Sequence, residues 1–378
     1  MDFSLSESQQ DVQNLSRKIL EDLSVHQRLV EIEASADGID RRVWEELAKA
    51  QLLGVALPEA YGGSDMGFFT LCVLIEEIGR AVAPVPALPS LVMGALPIAA
   101  FGSDEQKQRW LPGVATGSLI LTAALQEPGN DERSQPLTAA RRDGDSWRLS
   151  GTLICVPAAH VAERILVPAR VADGGVGVFL VDPGAPGVEL TPQQVTNRER
   201  QFQLTLSDAA VGSEDMLGTP ERGAEIARWL TDRATAAYCA LQLGVADKAL
   251  RMTAEYTTER RQFDRPIGSF QAVHQRAADA FIDVEAMRLT TWQAVWRLAE
   301  GLPADDAIAV AKFWAADGGQ RAGYAAQHLH GGIGIDLDYP LHRYYLWAKQ
   351  IELTLGSAPV HLARIGERLA REPVDAGA

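Results

Sequence analysis

The chain has 378 residues, 47% of them apolar and 22% charged, and a formal net charge of −15. At roughly 100–200 residues per domain that length predicts two or three packed units, and the composition excludes disordered, collagen-like and membrane-embedded classes. Fifty acidic against 35 basic side chains exclude a phosphate-tracking surface over the chain as a whole, so nucleic acid is not an expected partner; Arg260, Arg261 and Arg265 form one local basic cluster.

In chain order, residues 1–118 carry helical periodicity broken by short turns and read as an N-terminal helical domain. A capping-type start, Ser4-Leu-Ser-Glu7, precedes Val12, Leu15 and Ile19. The uncharged stretch 81–102 is interrupted by Pro84, Pro86, Pro89 and Pro97, so it reads as a buried loop and short helices, and no membrane insertion is expected. Residues 119–215 read as a middle β domain from the runs SLILTAALQ, SWRLSGTLICV, RILVPARV, VGVFLVDP and QFQLTLSDAAV, bounded by Gly, Pro and Asp.

Residues 216–378 return to helical period in four long runs, 224–258, 269–299, 304–329 and 340–370, which suggest a C-terminal bundle; the tail REPVDAGA reads as frayed. The order helical, β, helical favours separate helical and β units over a doubly wound sheet. Cys72, Cys155 and Cys239 are widely spaced and odd in number, which fits a reducing cytoplasm better than a disulfide framework. The segment MDFSLSESQQD has no apolar core, so no signal peptide is expected.

Five strings occur in order: GVALPEAYGG (54–63), EEIGRA (76–81), LQEPG (125–129), TTERRQFDRPIGSFQ (257–271) and HLHGGIG (328–334). As a set they resemble the acyl-CoA dehydrogenase family over nearly the whole chain. The resemblance implies a mostly α fold with a middle β domain: a helical N-domain, a β domain and a C-terminal four-helix bundle. It also implies FAD, an acyl-CoA substrate and desaturation of the Cα–Cβ bond, in which a carboxylate takes the α proton and a hydride goes to the flavin. An electron acceptor such as an electron-transfer flavoprotein would follow.

In the family the flavin crosses a protomer boundary, and this chain matches the half offered to a neighbour. Arg260 corresponds to the arginine that meets the diphosphate, Phe263 to the aromatic packing the adenosine, and Gly331 and Gly332 to glycines that let the backbone approach it; Gln271 and His328 complete the cofactor-binding set. Asp264 stands where the family usually has glycine, and His328 where many members have glutamine. The pair His328 and His330 lacks further ligands and does not share a helix face, so no metal is expected.

The half that would cradle this chain's own flavin departs from the family. Gln126 replaces threonine before Glu127-Pro128, Cys155 and Pro157 replace the usual Trp and Ser/Thr, and the loop after Gly129 reads Asn-Asp-Glu-Arg. Leu355 stands before Gly356-Ser357 where many members carry the base glutamate. The family's second base position falls near Ala234, Thr235 and Tyr238, and no carboxylate occurs from 233 to 244. Asp232 and Glu352 are the nearest substitutes, although Asp232 beside Arg233 reads better as a surface charge pair and Glu352 as a bundle contact.

The combination is similar to the subunit without catalytic glutamate in bacterial heteromeric (α2β2) members, some of which act on steroid-side-chain CoA esters. That reading expects a homologous catalytic partner subunit. The alternatives are an autonomous homotetrameric dehydrogenase with a relocated base and a flavin-free acyl-binding scaffold.

Overall fold

A computed structural model describes residues 4–132, 135–171 and 174–371. Helix α1 (Glu7–Leu23) starts from Ser6, whose hydroxyl accepts from Gln9 N–H while the Gln9 side chain returns the bond. The cap therefore lies two residues after the Ser4 expected from sequence. Helices α2 (His26–Ala34), α3 (Arg41–Lys49) and α4 (Gly67–Ala81) follow. Eleven of the fifteen residues of α4 are buried, as its apolar run from Leu71 to Ile75 requires. The proline-rich stretch forms a π-helical segment, Leu88–Ala95, that runs into α5 (Leu96–Phe101), and α6 (Asp104–Ala115) closes the first helical layer.

The sheet runs β1 (Leu121–Ala123), β2 (Ala139–Asp143), β3 (Ser146–Pro157), β4 (Arg164–Arg170), β5 (Val176–Val181), β6 (Val188–Gln193) and β7 (Gln201–Gly212), in spatial order β1-β4-β2-β3-β7-β6 with β5 on β4. Strands β2 and β6 have no counterpart among the sequence-derived runs. AARRD is mostly exposed and carries no apolar alternation, while VELTPQ alternates only briefly, through Val188 and Leu190, and Pro192 is tolerated because β6 is an edge.

Five further helices and a hairpin follow. Helix α7 (Gly223–Glu259) leads into the two-stranded hairpin β8 (Arg261–Gln262) and β9 (Arg265–Pro266), followed by α8 (Gln271–Ala299) and α9 (Asp305–His330). The last expected helix is two, α10 (Leu341–Leu353) and α11 (Ala358–Arg371). The break is conformational: Leu355 and Gly356 adopt φ of 58° and 100°, which no α-helix accommodates. Residues 372–378 of the tail read as frayed lie outside the described residues.

Helix α7 is the spine of the fold. It packs on α4 in front and on α8, α9 and α10 behind. At the α4 crossing, Gly79 faces the backbone of Leu241 and Gly244 faces that of Glu76, so a methyl at either position collides with main chain. Among the described residues no helix is long and apolar enough to cross a membrane.

Candidate functional site

The residues singled out from sequence fall in two places. Tyr238, halfway along α7, lies close enough to Cys155 and Glu199 to feel their charge. Arg260 caps the far end of the same helix. At 1.5 Å per residue, the two ends of that stretch are roughly 33 Å apart.

At the Arg260 end, the side chains of Arg260, Phe263, Gln271, His328, Gly331 and Gly332 are all exposed. The hairpin turn is built from Phe263 and Asp264, both left-handed at φ 51° and 64°. This explains why an aspartate can stand where glycine is usual: aspartate is among the few residues that tolerate that region. The turn leaves Phe263 87% exposed, edge-on to Phe270, while Arg265 covers the Phe270 ring at 4.0 Å. Gly331 ends α9 at φ 66°, ψ −141°, a conformation essentially restricted to glycine, and an added Cβ would meet nothing there. The constraint at Gly331 is thus backbone geometry, with open space above it.

His328 and His330 do not act together. His330 is buried, stacked on Tyr256 at 4.4 Å and 3.2 Å from the Tyr339 hydroxyl, whereas His328 faces outward. Burial lowers the basicity of His330, keeping it neutral at physiological pH. Among the described residues no cluster of His, Cys, Asp and Glu could hold a metal ion.

The other place is closed by this chain's own side chains. The Leu355 N–H donates to Gln126 Oε1 at 2.7 Å, and its carbonyl lies 3.0 Å from His361 Nε2. Leu355 is 2% exposed and held in the left-handed region, a strained conformation for a leucine that these two contacts stabilise. Cys155 is also left-handed, and its N–H is taken by Gln193 Oε1 at 2.7 Å. Pro157 has no N–H to offer, and its carbonyl accepts from the Thr122 hydroxyl. Burial pushes the Cys155 thiol up and the Tyr238 phenol far up, so neither ionises at neutral pH. Of these three main-chain positions, two N–H groups are already bonded within the chain and the third is absent.

The two substitute carboxylates differ. Glu352 Oε2 pairs with Lys349 Nζ at 2.6 Å, one turn back on the same helix, α10. Asp232 is not paired with Arg233: that guanidinium turns inward, lies 3.7 Å from the Trp229 ring centroid and bonds the Leu298 carbonyl. Asp232 instead lines a cavity of about 340 Å³ with Thr235, His361, Arg228 and Arg364. Burial there pushes its carboxyl up to about 6, with Arg228 at 3.8 Å pulling weakly the other way.

Two residues that the sequence did not single out shape this place. Lys312 is fully buried on α9 and donates to the carbonyls of Ile351 at 2.6 Å and Glu352 at 3.3 Å, fixing the end of α10 where Leu355 leaves it. Its only sequence signal is a lysine inside the apolar run AIAVAKFWAA. Glu127 anchors the turn before Asn130: burial would raise its carboxyl, but bonds from the Leu137 and Thr138 N–H groups, the Thr138 hydroxyl and Asn130 hold it below the ordinary glutamate value.

The chain belongs to the acyl-CoA dehydrogenase family: residues 6–118 match the acyl-CoA dehydrogenase N-terminal domain and residues 221–370 its C-terminal domain. Members are FAD-dependent oxidoreductases acting on CH–CH bonds. The chain is 41% identical to acyl-CoA dehydrogenase FadE27 of Mycobacterium tuberculosis, over 99% of this chain and all of that protein. Its fold is similar to that in the ChsE4-ChsE5 complex from Mycobacterium tuberculosis, with a TM-score of 0.94 at 41% identity, covering 99% of this chain and 100% of that one. It is also similar to a variant of the Tcur3481-Tcur3483 steroid ACAD, with a TM-score of 0.91 at 48% identity, covering 97% of this chain and 99% of that one.

Proposed function

We propose that this chain is the flavin-clamping subunit of a heteromeric acyl-CoA dehydrogenase and that a homologous partner subunit supplies the base and the isoalloxazine pocket. The observation that carries this reading is the roughly 33 Å of α7 separating Arg260 from Tyr238, with an exposed clamp at one end and an occupied pocket at the other. Arg260 offers a planar fork for diphosphate oxygens, Phe263 an exposed ring for the adenine, and Gly331 and Gly332 a main chain with no Cβ in the way. Gln271 and His328 flank them on the first turn of α8 and the last of α9.

FAD supplies the hydride acceptor when bound. This chain's residues hold its phosphates and adenosine, and Leu355 supplies no proton acceptor. The assembly is an α2β2 tetramer, the substrate a CoA thioester with a bulky steroid-type acyl group, and the acceptor an electron-transfer flavoprotein. Support for the assembly and acyl class comes from the heteromeric and steroid designations of the two similar structures.

Purifying the chain alone and together with a candidate partner subunit tests this. A colourless lone chain and a yellow, active complex of both subunits is the expected outcome; a yellow, active homotetramer overturns it. In that event Asp232 is the residue to examine, because it alone of the two substitutes lines a cavity and carries a carboxyl raised toward neutrality. Loss of the homotetramer's activity in Asp232→Asn, with fold retained, would assign it the base.

A further inference from the structure

The two arms of the exposed end of the bundle are carried by different helices. Arg260 follows the last residue of α7, and Gly331 follows the last residue of α9. Among the described residues no hydrogen bond or ion pair joins Arg260 or Phe263 to Gly331 or Gly332. Their spacing is therefore set by what packs beneath them, and a ring stack lies there. Tyr256 is one turn before Arg260, whose N–H donates to the Tyr256 carbonyl at 2.8 Å, and His330 directly precedes Gly331. The two rings lie within 18° of parallel, with centroids 4.4 Å apart.

The His330 ring is held from both edges. Its Nδ1 lies 2.9 Å from the Ala326 carbonyl, and because a carbonyl only accepts, that nitrogen carries the proton. Nε2 of the neutral ring is left to accept from the Tyr339 hydroxyl at 3.2 Å, and the Tyr339 ring tilts against it at 5.4 Å. Burial favours this neutral form. Tyr339 stands directly before the Pro340 that opens α10, so one imidazole touches the end of α7, the end of α9 and the start of α10. At 4% exposure the ring does not itself meet a ligand. Gln327 Nε2 adds a donor to the Gly331 carbonyl at 3.2 Å.

We infer that His330 is a positioning residue for flavin binding: stacked on Tyr256, its ring sets the distance between Arg260 on one arm and the main chain of Gly331 and Gly332 on the other. A dinucleotide that bridges two arms binds more tightly when their separation is fixed beforehand, because freedom between them is lost on binding. The inference rests on the clamp proposed above and adds how that clamp is held in shape.

Titration of FAD into the flavin-stripped complex with the partner subunit, below the melting temperature of every variant, tests it. Tyr256→Leu and His330→Leu each keep an apolar side chain and remove one ring, and each should weaken FAD by about twofold to tenfold, the worth of one aromatic pair. Tyr256 is half-buried, so Tyr256→Leu keeps the test available should His330→Leu fail to fold. The double variant should bind no more weakly than the weaker single one, because both lose the same stack. Tyr256→Phe and His330→Phe restore a ring and should recover FAD affinity. Loss of affinity that neither phenylalanine variant recovers reports lost packing, and unchanged affinity in both leucine variants removes the stack from flavin binding; either overturns the inference. Arg260→Ala is measured beside them. Unchanged affinity there overturns the clamp and this inference with it, whereas weakened binding in Arg260→Ala beside unaffected leucine variants overturns the positioning role alone.

Discussion

The Arg260 end of the molecule and the Leu355 end use the same kinds of group in opposite ways. At the Arg260 end, a guanidinium, an aromatic ring and two glycines face outward with little of their own chain to bond. At the Leu355 end, Gln126, Gln193 and His361 bond main-chain atoms that a ligand would otherwise meet. The first arrangement is stable only because water solvates it, and it gains on meeting a polar ligand. The second is satisfied internally, so any ligand must first break those bonds. A surface left unsatisfied is prepared for a partner; a pocket satisfied from within is not.

The largest effect expected from breaking this contrast is at Arg260. In the complex with the partner subunit, Arg260→Ala should lower FAD affinity by about tenfold to a hundredfold, the range for losing a charge-assisted contact, read from the flavin-to-protein ratio after dialysis. Unchanged occupancy would remove the clamp from the proposal. Gly331→Ala forces alanine into a glycine-only conformation and should cost about 1–3 kcal/mol, seen as a lower melting temperature of the lone chain. Gly332→Ala, which has open space and no positive φ, should leave that melting temperature alone and weaken only the flavin.

At the opposite end, Gln126→Ala strips the Leu355 N–H of its acceptor and should destabilise the lone chain by about 1–3 kcal/mol while leaving the flavin content of the complex unchanged. A variant that raised flavin uptake by the lone chain would show instead that Gln126 alone keeps the pocket shut.

How much of this the sequence disclosed depends on how local each feature is. The long helices were legible because their burial repeats with helical period, whereas Asp264 stood out only as a departure from the family's usual glycine and the turn it forms went unread. Strands β2 and β6 were not legible: β2 is short, charged and mostly exposed, and β6 is an edge whose brief alternation runs into Pro192. The split of the last helix hangs on Leu355 adopting a positive φ, which nothing in IELTLGSAPV announces except Gly356. The closed pocket was legible only as a loss: Gln126, Cys155 and Pro157 stood out as departures. That Gln126 spans 229 positions to hold Leu355, or that Gln193 reaches Cys155 from a neighbouring part of the sheet, is a contact between distant segments, which periodicity and spacing do not encode. Lys312 was hidden for the same reason, its acceptors lying 39 and 40 residues away.

The smallest expected effect concerns Asp232, and its sign discriminates between a structural and a reactive carboxylate. In the folded chain its carboxyl is raised to about 6, above an unfolded aspartate, so the folded state holds the proton more tightly. The stability associated with that proton is present below the unfolded value and is lost as pH rises through about 6. Above that pH the folded chain carries a partly desolvated anion offset by Arg228 at 3.8 Å and more weakly by Arg233 and Arg364. Asp232→Asn removes this cost, so the variant should be the more stable protein above pH 6, by about 3 kcal/mol at most, and the gap should close as pH falls toward 4. Chemical denaturation of both proteins across that range measures it. A gap of the opposite sign would mean that Arg228 and the other arginines of the cavity hold the ionised form, in which case Asp232 is a structural anchor for α7 and no proton acceptor.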